Sequence, residues 1–131
     1  MTVPVRIEHL FKTYTRRRLL GKNLEKPVLK DVSLTLEDNH VLGLVGESGC
    51  GKSTLCKVLL GIEKPTSGLV EVNGQNVPTL SKSEFKKLRR VLQVVYQDPY
   101  SSLDPRMNVR QLLSEPLDIH GLKKDKQERK E

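Results

Sequence analysis

The sequence has no tryptophan, and aromatic residues make up only 4% of it. Aliphatic side chains must therefore build the core. With 36% hydrophobic residues in a chain of 131, one modest domain is within reach. Cysteine is almost missing. Cys50 and Cys56 lie across a loop and a helix start, where they are poorly placed for a disulfide. This excludes a disulfide-stapled scaffold and suits a reducing, cytoplasmic compartment. No apolar stretch approaches the roughly 18 residues that a membrane span needs. The opening residues carry Pro4, Arg6 and Glu8 where a leader peptide would have an apolar core. His9, His40 and His120 have no metal-ligand spacing.

Charge of one sign is in excess. The 23 basic and 16 acidic residues give a formal net charge of +7. Such a balance can signal nucleic acid or an anionic membrane surface. Here the basic residues are spread out, and clusters such as Arg16-Arg17-Arg18, Lys86-Lys87 and Arg89-Arg90 read as solvated faces or loops. Nucleic acid is accordingly not an expected partner.

Residues 3–11 alternate loosely through Val3, Val5 and Ile7 and predict a strand that Tyr14 closes. Residues 15–27 read as a polar, basic loop. Val28, Val32, Leu34 and Leu36 alternate with polar residues and predict a second strand, antiparallel to the first. Val41-Leu42-Gly43-Leu44-Val45 is a continuous apolar run, the pattern of a strand buried on both faces of a parallel sheet. A helix is expected over residues 52–60, with Leu55, Val58 and Leu59 inward and Gly61 as its stop. Residues 69–72 predict a strand ended by the hairpin signal Asn73-Gly74. Ser81 with Glu84 predicts a capping box for a helix running to about Arg90. Residues 91–96 read as another apolar strand. Residues 109–120 are helical in pattern, interrupted by Pro116 and broken at Gly121; the charged residues 123–131 have no apolar face. This order predicts an α/β fold with a mixed sheet and an antiparallel β start.

Gly46-Glu47-Ser48-Gly49-Cys50-Gly51-Lys52-Ser53 matches the phosphate-binding loop pattern, with a strand expected before it and a helix after it. Glycines let backbone N–H groups curl around an anion without a Cβ clash. A helix starting at Lys52 adds the positive end of its dipole. This predicts a cradle for the phosphates of a nucleoside triphosphate, Mg-ATP first among them. Lys52 would reach the β- and γ-phosphates, Ser53 would ligate Mg²⁺, and Thr54 would donate to a phosphate. Glu47, Ser48 and Cys50 would contribute mainly backbone N–H groups, Cys50 being a small, space-filling residue.

The segment Gly43 to Leu55 resembles the Walker A region of ABC transporter ATPase subunits. Gly61-Ile62-Glu63-Lys64-Pro65-Thr66-Ser67-Gly68 and Val72-Asn73-Gly74 resemble the segment that follows it. Val95-Tyr96-Gln97-Asp98-Pro99-Tyr100-Ser101-Ser102-Leu103-Asp104-Pro105-Arg106-Met107 resembles the Q-loop of the branch that energises oligopeptide, dipeptide and nickel importers, as do Glu115-Pro116-Leu117 and His120-Gly121. The resemblance implies that Gln97 contacts Mg²⁺ and the attacking water, and that Tyr14 stacks on adenine. Lys52 and Gln97 are thereby the expected catalytic residues, and Ser53 and Gln97 the expected metal contacts. It implies partners as well: permease subunits in the membrane and a second ATPase subunit, with the protein peripheral on the inner face of the cell membrane. Asp104 follows the Q-loop rather than a buried strand, so it is not the Walker B aspartate.

The departures from that family pattern are large. There is no Leu-Ser-Gly-Gly-Gln signature, no apolar run ending in Asp-Glu and no later switch histidine. The expectation is an incomplete domain: the N-terminal part of a nucleotide-binding domain over residues 1–131, with a phosphate-loop core to about residue 105 and the start of a helical subdomain from about 106. Phosphate positioning would survive in it while water activation is crippled. Two readings follow, an ATPase subunit of an importer and a nucleotide-binding or assembly module without turnover. A third, a soluble ABC protein acting on nucleic acid, is opposed by the 97–107 match.

Overall fold

The computed structural model describes residues 4–18, 21–98 and 100–122. Val3 and residues 123–131, read above as a strand start and a charged tail, lie outside them. The chain divides into two compact units, Met1–Ser81 and Lys82–Glu131.

The first unit is built on a four-stranded sheet. Strand β1 (Val5–Arg16) pairs antiparallel with β2 (Leu24–Leu36) on one edge and with β3 (Ser67–Val72) on the other. The Asn73-Gly74 signal holds: both residues have positive φ, 49° and 72°, and turn β3 into the short β4 (Gln75–Asn76). The loose alternation of β1 has a cause. Its register against β2 slips between Ile7 and Leu10, and His9 and Asp31 take φ of 47° and 55° there. The slip lets Ile7 and Leu10 both face the core although they are not an even number apart. Gly68 packs against this bulge. A Cβ on it would lie 2.4 Å from the His9 carbonyl oxygen, so only glycine fits.

Helix α1 (Lys52–Leu59) lays Leu55 and Val58 into the same core as Ile7, Leu10, Leu29, Val70 and Val72. Each such side chain contributes about 1.5–3 kcal/mol by leaving water. The helix ends as expected: Leu60 N–H donates to Cys56 O and Gly61 turns with φ 63°.

Three expectations need correction. The pairing of β1 with β2 continues through Thr15↔Glu25 and Arg16↔Leu24, so Tyr14 sits inside a strand and part of the expected 15–27 loop is sheet. Polar, basic side chains do not stop a ladder whose backbone partners are already in register. Residues 41–45 form no strand among the described residues, and Val41 and Val45 are 99% and 91% exposed. A strand meant for burial on both faces needs a neighbour on each edge, and no described strand pairs with this one. Residues 91–96, in the second unit, likewise form no strand. Their first members are drawn into the end of the preceding helix, where Val91 and Leu92 N–H both donate to Leu88 O.

In the second unit, α2 (Lys82–Leu88) precedes a 3₁₀ turn (Tyr100–Ser102) and α3 (Val109–His120). Helix α3 runs through Pro116 rather than breaking there. A capping box holds its start, with Asn108 Oδ1 accepting from Gln111 N–H at 3.0 Å and Gln111 Oε1 accepting from Asn108 N–H at 2.9 Å. Gly121 ends it at φ 65°. These ends offset the hydrogen bond that proline cannot make. Arg90 Nη2 donates to His120 O at 2.7 Å. Among the described residues, no helix is long and apolar enough to cross a membrane.

Candidate functional site

The Gly46–Ser53 loop enters α1 directly. Gly51 is the helix N-cap, with φ 110°, and Leu55 N–H donates to its carbonyl at 2.9 Å. Gly51 is buried. A Cβ there would lie 2.9 Å from Leu29 Cδ2 and 3.2 Å from Val28 O. The sheet therefore sets how closely the loop approaches β2, and a residue without Cβ permits it. Cys50 N–H donates to Glu47 O at 3.3 Å, closing the turn, and Cys50 Sγ fills the space beside Gly46.

Lys52 folds back over its own loop. Its Nζ donates to Gly46 O at 2.6 Å and Glu47 O at 2.7 Å, with Cys50 Sγ at 3.6 Å. The positive charge is thereby held on the loop, beside the free N–H groups of the first turn of α1.

Tyr14 comes to the same place from β1. A cavity of about 420 Å³ is lined by Tyr14, Lys26, Val28, Ser48, Gly49, Gly51, Lys52, Ser53 and Thr54. Its walls carry two ammonium groups, hydroxyls, backbone at two glycines and no carboxylate, which is the lining an anion requires. Tyr14 supplies a flat ring and Val28 an apolar contact. The Tyr14 hydroxyl and Lys12 hold the Glu63 carboxyl below the ordinary glutamate range against the opposing effect of burial.

The structure thus gathers Tyr14, Ser48, Gly49, Gly51, Lys52, Ser53 and Thr54 around one cavity, with Gly46, Glu47 and Cys50 in the loop that bounds it. Gln97 belongs to the second unit, where it is exposed. Asp104, also in that unit, accepts from Arg106 N–H, Nε and Nη2 at 3.0, 3.0 and 2.8 Å. Those bonds hold its carboxyl below the ordinary range and commit it to a local turn. Among the described residues, no group of three or more His, Cys, Asp or Glu could hold a metal. Lys26 and Val28 were not expected in the site. Lys26 is placed by its register opposite Tyr14, and the only signal for it in the sequence was the pairing of two strands whose ends looked like loop.

The loop, helix and sheet have counterparts among known proteins. Residues 29–131 match the family model described as ABC transporter. The chain belongs to the ABC transporter family. It is 45% identical over 130 residues to the oligopeptide transport ATP-binding protein OppD of Mycobacterium tuberculosis, a match covering 95% of this chain and 21% of that protein. It is 40% identical over 115 residues to the nickel import ATP-binding protein NikE of Shigella flexneri, covering 87% of this chain and 43% of that protein. Among solved structures it resembles an ATP-binding cassette in a dimeric, post-hydrolysis state bound to ADP and Pi, with a TM-score of 0.73, 26% identity, and coverage of 95% of this chain and 52% of that one. The chain therefore spans less than half the length of these two ABC relatives, and about half of the solved cassette.

Proposed function

We propose that this chain is the N-terminal, nucleotide-holding part of an ABC ATP-binding subunit that energises import of oligopeptides, dipeptides or nickel. The carrying observation is the cavity that joins a phosphate loop, two ammonium groups and an aromatic ring in one unit. Its volume suits a nucleotide-sized ligand. In this reading Tyr14 stacks on adenine, and the backbone N–H groups from Gly46 to Gly51 cradle the phosphates. Lys52 bridges the β- and γ-phosphates, and Thr54 donates to a phosphate oxygen. Mg²⁺ fits as a companion of the nucleotide: hard cations take oxygen ligands and phosphate oxygens, and Ser53 provides the one hydroxyl that the loop pattern assigns to it. When bound, Mg²⁺ supplies charge neutralisation at the phosphates. Gln97 is the proposed water- and metal-sensing residue of the intact subunit.

The family and the relatives' names support the remaining proposals. The partners are membrane permease subunits and a second ATPase subunit, and the location is the cytoplasmic face of the membrane. A phosphate-loop core to about residue 105 and the start of a helical subdomain from about 106 are proposed on the family resemblance alone, a boundary distinct from the division between Ser81 and Lys82.

One observation favours a narrower reading for the 131 residues themselves. No carboxylate lines the cavity among the described residues, so it offers no carboxylate base to draw a proton from an attacking water. The chain then binds nucleotide without turnover. Phosphate release from the purified chain with Mg-ATP tests this. The expected result is none above background; robust release abolished by Lys52→Ala would overturn the narrower reading and leave the ATPase assignment.

A further inference from the structure

Tyr14 is held by more than its place in β1. Lys12 Nζ sits over its ring, 4.8 Å from the centroid. The same ammonium donates to Lys64 O at 2.7 Å and pairs with Glu63 Oε2 at 3.2 Å. The Lys12 and Glu63 side chains are only 14% and 23% exposed. The ring is thus braced on one face by a cation, and that cation is held in turn by a carboxylate. Lys12 does not line the cavity that Tyr14 lines, so it braces the ring without occupying the ligand's place.

The segment that carries Glu63 is itself fastened. Ile62 and Glu63 N–H donate to Lys57 O in α1 at 2.9 and 3.2 Å. Thr66 N–H donates to Phe11 O at 2.9 Å, and Thr66 Oγ1 accepts from Thr13 N–H at 2.9 Å. Helix α1 begins at the phosphate loop and ends at this clamp. One rigid element therefore spaces the ring from the loop.

We propose that Lys12 and Glu63 are positioning residues that pre-orient Tyr14 as the platform for a nucleotide's base, at a distance from the phosphate loop set by α1. The proposal rests on the nucleotide reading above and adds to it the source of base-dependent affinity. A side chain already locked in its bound rotamer loses less freedom when a ligand stacks on it. A cation on an aromatic face in a shielded site is strongly enough held to do the locking.

The test compares Mg-ATP with Mg-tripolyphosphate, which shares the phosphates but has no base, by calorimetry on the full chain. Lys12→Met keeps the stem and removes the charge. It should weaken ATP by about tenfold and leave tripolyphosphate unchanged, while Lys12→Arg restores most of the loss. Glu63→Gln, which leaves Tyr14 and Lys12 in place and weakens the hold on the ammonium, should fall in between and guards against a Lys12 variant that does not fold. Equal loss of both ligands, or no loss of ATP, would show that the network merely staples a turn to the sheet. A wild-type chain that binds tripolyphosphate as tightly as ATP would also overturn the platform. A wild-type chain that binds neither would overturn the nucleotide reading itself and this proposal with it.

Discussion

Lys52 carries the largest single burden at the residue scale. Its ammonium is already directed onto the loop by Gly46 O and Glu47 O. Those exposed carbonyls can bond to water instead, whereas charge-assisted hydrogen bonds to phosphate oxygens would contribute about 1.5–3 kcal/mol each. Lys52→Ala should therefore weaken Mg-ATP binding by at least about tenfold with little change in melting temperature, a difference that parallel calorimetry and thermal melts can measure. Glu63 gives a pH signature. Its carboxyl is held below the ordinary range by the Tyr14 hydroxyl and Lys12. A carboxyl lowered by folding contributes stability that is fully present above its unfolded value and is lost as pH falls through its folded one. The excess of ATP over tripolyphosphate affinity should accordingly be flat from neutral pH down to the ordinary glutamate range and decline below it. Glu63→Gln should remove that acid limb; a decline unchanged by the substitution would count against Glu63 as its source. Lys52 and Ser53 were legible because their signal is a contiguous string. Lys12, Lys26 and Glu63 were not, because they meet Tyr14 only through strand register and a turn.

Among the elements, α1 does two jobs: it packs the sheet and it opens the loop. Leu55 is 4% and Val58 1% exposed, and Leu55→Ala should cost about 2–5 kcal/mol in urea unfolding. Gly51→Ala places a Cβ against Leu29 and Val28 in a left-handed backbone, so it should lower both stability and nucleotide affinity, unlike Lys52→Ala. The elements with local punctuation were readable: α1 by its spacing and Gly61, the β3–β4 hairpin by Asn73-Gly74, and α3 by its pattern and Gly121. Those whose identity lies in a partner were not. Residues 41–45 and 91–96 have the right composition for buried strands, but hydrogen-bonding neighbours make a strand, and none pairs with them among the described residues. The bulge at His9 and Asp31 was invisible for the same reason, since it belongs to two strands at once.

At the scale of the whole molecule, the family assignment and the coverage of about half a solved cassette meet in the exposed apolar runs. Val41, Val45 and Val95 are each more than 90% exposed. Contiguous apolar surface and unpaired strand edges favour association. The purified chain should bind a hydrophobic dye and sediment as concentration-dependent oligomers, and Val41→Ser with Val45→Ser should reduce both. A strictly monomeric wild-type chain would contradict that expectation. Nucleotide binding is more central, because every role assigned above depends on it. The most direct measurement is calorimetric titration of Mg-ATP into the 131-residue chain, beside Lys52→Ala. Saturable one-site binding by the wild type that is lost or weakened at least about tenfold in the variant is the predicted result. Absence of saturable binding in a folded wild-type chain, or binding that Lys52→Ala leaves intact, would contradict it.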